Sequence, residues 1–117
     1  DGLQTRTFTF VEDTVDGFFR AVTMKEAVNE IFNVASEPDE EITILDLAKK
    51  IWQWVNGEGT EAKLKFIPYN TFGNYEDVRR RVPSIDKIKK ELNFKPKYNL
   101  ETGMKKTIVW QKEVMGL

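Results

Sequence analysis

The 117-residue chain contains neither cysteine nor histidine. The first absence excludes a disulfide framework and thiolate chemistry, and it fits a reducing compartment such as the cytoplasm. The second removes the commonest general base and metal ligand. Apolar runs are too short for a membrane span, and the start lacks the basic-then-apolar layout of a secretory signal. No glycine-rich strand-turn-helix fingerprint for a dinucleotide is present: the close pair Gly57 and Gly59 ends a helical pattern rather than opening one.

Net charge is also scarce, at -1, with a pI near 5.6. That balance argues against a general nucleic-acid or membrane-surface binder. The charge is unevenly placed, however. Between Glu30 and Asp46 every charged residue is an acid, whereas Val78 to Lys97 carries eight Lys/Arg against Asp86 and Glu91. An anionic ligand is therefore expected in the later stretch. With 40% hydrophobic residues the chain can own a core, enough for one domain or fragment over residues 1–117. It opens on a turn-like Asp-Gly rather than Met, which reads as a piece of a longer protein.

Periodicity predicts alternating strands and helices, an α/β chain. Thr5 to Val11 alternates as a strand, and Val11, Val15, Phe18, Phe19 and Val22 recur at helical spacing behind an Asp13 cap. Ile31 to Val34 suits a short buried strand, Ser36 to Glu41 a loop, and Leu64 to Pro68 a further strand. Ile44, Leu47, Ala48, Ile51 and Val55 form one helix face, stopped at Asn56-Gly57. Tyr69 to Val82 has no period and reads as a ligand-facing loop, before a helix capped by Ser84 and a last amphipathic helix from Leu100 through Met104 and Ile108 to Met115. Trp52, Trp54 and Trp110 could be ligand platforms, but at helical spacing they are expected to pack in a core or a covered interface.

The chemistry concentrates in Gly73-Asn74-Tyr75-Glu76-Asp77-Val78-Arg79-Arg80-Arg81-Val82-Pro83-Ser84. Three arginines in a row also suit a solvated loop. Placed just before a helix start, they offer planar forks for a diphosphate, a geometry that ammonium groups do not match. Asp77 is expected to cap or to pair with an arginine rather than touch ligand.

Arg81-Val82-Pro83-Ser84-Ile85-Asp86-Lys87-Ile88, leading to Glu91-Leu92-Asn93-Phe94, resembles the late nucleotide-binding motif of extended short-chain dehydrogenase/reductase enzymes that act on sugar nucleotides. Asp1, Gly2, Gln4, Arg6, Phe8, Phe10, Val11 and Asp13 are similar to an earlier motif of the same family, and Ile31–Ser36 and Ile42–Ala48 continue the likeness, so that it spans nearly the whole chain. Three positions depart from the family: Asn93 and Ala35 stand where glycine is common, and Ser84 where aspartate is.

This resemblance implies the C-terminal, substrate-binding part of an extended Rossmann-type enzyme, lacking the dinucleotide-binding half. By it, Arg6 and Arg81 flank the diphosphate of a UDP-sugar or related nucleotide-sugar, Gln4 supports that side and Tyr75 contacts the nucleoside. The run Tyr75 to Arg81 most resembles UDP-glucuronate decarboxylases and related epimerases. The family's Tyr-x-x-x-Lys proton-transfer pair is missing, since Tyr69, Tyr75 and Tyr98 are followed four residues on by Gly73, Arg79 and Thr102. The chain alone is therefore expected to be inactive, with NAD bound by the missing N-terminal half, no metal, no nucleic acid and no membrane, and a homo-oligomeric state. Two further readings stay open: a stand-alone nucleotide- or anion-binding module without redox chemistry, and an interaction domain using exposed aromatics.

Overall fold

The computed structural model describes residues 1–73 and 77–116. They fall into two compact units, the first drawn from Asp1–Arg6 and Ile42–Arg81, the second from Thr7–Glu41 and Val82–Leu117.

The first unit is a small three-stranded sheet with one helix. Strands β1 (Thr5–Arg6), β2 (Ile42–Thr43) and β3 (Arg80–Arg81) lie in the order β2-β1-β3. β1 runs antiparallel to β2, with Thr5 opposite Thr43 and Arg6 opposite Ile42, and parallel to β3, with Thr5 opposite Arg80 and Arg6 opposite Arg81. The strand expected over Thr5 to Val11 is thus only two residues long, because both of its ladder partners are. Helix α2 (Ile44–Asn56) follows β2 directly. Thr43 caps it by accepting the Asp46 amide at 3.0 Å, and its end is marked by Gly57 at φ 105°, where a side chain would be strained. Leu47 faces inward on the predicted stripe. The expected strand over Leu64 to Pro68 does not form: Leu64, Phe66 and Ile67 are exposed and outside any ladder. A 3-10 turn at Tyr69–Phe72 comes next.

The second unit owns the main core. Helix α1 (Val11–Thr23), helix α3 (Asp86–Leu92) and helix α4 (Leu100–Met115) are its regular elements, with short 3-10 turns at Lys25–Ala27 and Pro38–Glu40. Ile85, Ile88, Leu92, Phe94 and Ala35 are buried together, with Ala21, Met24, Ala27, Phe32 and Val34 packed around them. Three locally read features of this unit take a different form. Asp13 is no cap: Phe10 holds that place, and the Asp13 carboxylate, 1% exposed, accepts the backbone amides of Lys97 and Tyr98 at 2.9 and 3.0 Å. It staples the chain after α3 to the first turn of α1. Ile31 to Val34 is not a strand; Phe32 and Val34 pack on the core while Ile31 is 86% exposed. The residue before α3 is Ile85, one place later than expected, with the Ser84 hydroxyl accepting the Asp86 amide at 3.2 Å. Trp110 is 58% exposed and lies outside this unit's core.

The reading of Asn93 holds, and further local contacts accompany it. α3 ends on Asn93 in the left-handed conformation, φ 49°, which Asn tolerates where glycine is common. Arg20 donates to the Leu92 and Asn93 carbonyls there, at 2.9 and 3.0 Å, a cation suited to a helix C-terminus. Gly17 lets α1 approach Val34 closely, since an added Cβ would sit 2.5 Å from the nearest Val34 methyl carbon. Asn99 caps α4 by accepting the Thr102 amide at 2.9 Å. No described helix is long and apolar enough to cross a membrane.

Candidate functional site

The sheet of the first unit brings two of the four expected site residues side by side. In the parallel ladder Arg6 is the register partner of Arg81, so their Cα atoms lie about 5 Å apart and both side chains leave the same face of the sheet, with Ile42. Arg80, paired with Thr5, leaves the opposite face, has an interaction of its own and is therefore not free. Like charges placed directly across a ladder repel. Here a carboxylate beside Arg6 offsets part of that repulsion, and a diphosphate has a shape that two guanidinium forks can grip.

The two arginines differ in how they are held. Arg81 is exposed and has no side-chain partner among the described residues. Arg6 is mostly buried, its guanidinium bound to the Thr5 carbonyl at 2.7 Å and to Asp77 at 3.2 Å. The second oxygen of Asp77 accepts the Tyr69 hydroxyl at 2.6 Å. The Tyr69 hydrogen bond, backed by the Arg6 charge, holds the Asp77 carboxyl below the ordinary aspartate range. Asp77 thus pairs with an arginine, as its loop position suggests, but the partner is Arg6 rather than one of the adjacent three. Arg79 instead meets Asp1 at 2.8 Å in an exposed pair.

The Gln4 carbonyl accepts the Ile44 amide at 3.1 Å. The Gln4 side-chain oxygen is buried without a hydrogen-bond partner among the described residues. A buried acceptor of this kind is satisfied by a donor that the ligand or water brings. Tyr75, the fourth expected residue, lies outside the described residues.

A second polar cluster, invisible to local sequence reading, lies in the other unit. Tyr98 donates to Glu12, and Lys106 lies 3.1 Å from the Tyr98 hydroxyl and over the Phe10 and Tyr98 rings. The nearby open groove is largely apolar, with Phe8, Phe10, Met104 and Trp110 in its wall. A tyrosine beside a lysine invites comparison with an acid-base pair, but the charges say otherwise. The Tyr98 hydrogen bond lowers Glu12 and raises Lys106, so both stay ionised near neutrality, and neither is poised to exchange a proton there. The cluster ties α1 to α4. Among the described residues no group of acidic side chains could hold a metal ion.

Comparisons with known proteins find a matching family model, curated relatives and solved structures. The sequence model of the GDP-mannose 4,6 dehydratase family matches residues 1–107. A UDP-N-acetyl-alpha-D-glucosaminuronate decarboxylase from Bacillus cytotoxicus is 35% identical over 117 residues, 97% of this chain and 34% of the relative. A GDP-mannose 3,5-epimerase from Arabidopsis thaliana is 31% identical over 113 residues, 97% of this chain and 27% of the relative. The chain therefore spans about a third of the length of the curated relatives it matches. Among solved structures, the Bordetella bronchiseptica enzyme WbmF in complex with NAD+ and UDP superposes with a TM-score of 0.71 at 29% identity, over 98% of this chain and 32% of that one. UDP-glucose 4-epimerase from Thermotoga maritima, with UDP-glucose, gives a TM-score of 0.74 at 26% identity, over 98% and 34%.

Proposed function

Because the chain belongs to the GDP-mannose 4,6 dehydratase family of extended short-chain dehydrogenase/reductase enzymes, we propose that it is the sugar-nucleotide-binding portion of an NAD-dependent epimerase, dehydratase or decarboxylase. In this reading Arg6 and Arg81 bind the diphosphate, Gln4 supports that side and Tyr75 meets the nucleoside. The observation that carries it is the ladder register that sets Arg6 beside Arg81 on one face. The relatives in complex with UDP and UDP-glucose support a uridine nucleotide as the ligand. The uronate decarboxylase relative supports decarboxylation within the class.

No residue of this chain is assigned to NAD or to proton transfer, so the isolated chain binds but does not turn over. Self-association is part of the same proposal, supported by the exposed α1 stripe of Val11, Val15, Phe18, Phe19 and Val22, as is a cytoplasmic setting. Titration calorimetry of the chain tests the reading. Weak, saturable heat with UDP and none with NAD is expected; tight NAD binding with no response to UDP overturns it.

A further inference from the structure

We infer that Asp77 is the positioning residue of the Arg6 side of the diphosphate site, a role that rests on the function proposed above. An arginine on a flexible stem loses rotamer freedom when it grips an anion, and that loss subtracts from affinity unless the fork is already held. Arg6 is held. Its guanidinium is fixed at two points, the Thr5 carbonyl and Asp77, which leaves the remaining N–H groups of the fork for a second anion. Asp77 is in turn fixed at both oxygens, by Arg6 and by Tyr69 on the 3-10 turn, and its side chain is only 8% exposed. The chain thus spends a nearly buried carboxylate next to a site for anions. Taken alone, that charge repels a diphosphate; its presence there is accounted for by what it does to the guanidinium.

The two effects have opposite signs, so the sign of one measurement decides between them. UDP affinity of the chain is measured for Asp77→Ala, Asp77→Asn, Arg6→Ala and the Arg6→Ala/Asp77→Ala double variant, with circular dichroism melts to confirm folding. Positioning predicts that Asp77→Ala weakens UDP about two- to tenfold. Asp77→Asn, which still offers an oxygen to Arg6, retains most of the affinity. Once Arg6 is alanine, removing Asp77 costs nothing more. Unchanged or tighter binding by Asp77→Ala, with Arg6→Ala still weakened, overturns the positioning role and leaves Arg6 as a ligand contact. An equal loss in both backgrounds assigns Asp77 to structure alone. Should Arg6→Ala itself bind UDP like the parent, the arginine pair is not the site and the function proposed above fails with it.

Discussion

The two units of the chain are stabilised by different physics. Among the described residues the second unit buries Ala35, Ile85, Ile88, Leu92 and Phe94, whereas the first buries a single apolar side chain, Leu47. What organises the first unit is a short ladder, a capped helix and the Tyr69-Asp77-Arg6 chain of polar contacts. A region with few buried apolar contacts opens at lower free energy than a packed one. The contrast teaches a division of labour: packing strength centres on α3 and the residues flanking it, and the proposed anion site sits where charges and hydrogen bonds decide the geometry.

The largest expected effect breaks the packed side of that contrast. Leu92 is fully buried, and Leu92→Ala should destabilise the second unit by about 2–5 kcal/mol through lost transfer energy and the cavity left behind. Chemical denaturation followed by circular dichroism checks the size. A cost well under 1 kcal/mol would mean that this core is not the structural anchor.

A smaller effect sharpens the polar side. Asp77 has a lowered folded pKa, so it contributes stability that is fully present above the unfolded aspartate value, about 4, and is lost as pH falls through the folded value. Tyr69→Phe removes the largest cause of that shift. The variant should melt below the parent at pH 7, and the gap should close as pH drops below about 4. A gap independent of pH would assign the Tyr69 hydroxyl to packing instead.

How much of this was legible in the sequence follows from the reach of each signal. Helix α2 was readable because its stripe of Ile44, Leu47, Ala48, Ile51 and Val55 and its stop at Gly57 are all local. The same holds for α4 and for the left-handed Asn93. Ile31–Val34 and Leu64–Pro68 have strand-like composition, yet composition reports a tendency to be covered and cannot supply the neighbour that a ladder needs. Asp13 was misread as a cap because its true partners, the amides of Lys97 and Tyr98, lie 84 and 85 residues away. For the site, the resemblance already implied that Arg6 and Arg81 flank one diphosphate. That Arg6 stands in register with Arg81 and leans on Asp77, 71 residues distant, required the fold.

The central claim is that the sheet register selects which arginines meet the nucleotide. Titrating UDP into Arg81→Ala and Arg80→Ala chains tests it most directly, since the two positions are adjacent in sequence but leave opposite faces of β3. Losing a charge-assisted bond to phosphate costs about 1.5–3 kcal/mol, so Arg81→Ala should weaken UDP about ten- to a hundredfold, while Arg80→Ala should change affinity by no more than about twofold. Equal effects at both positions, or a larger one at Arg80, would contradict the account.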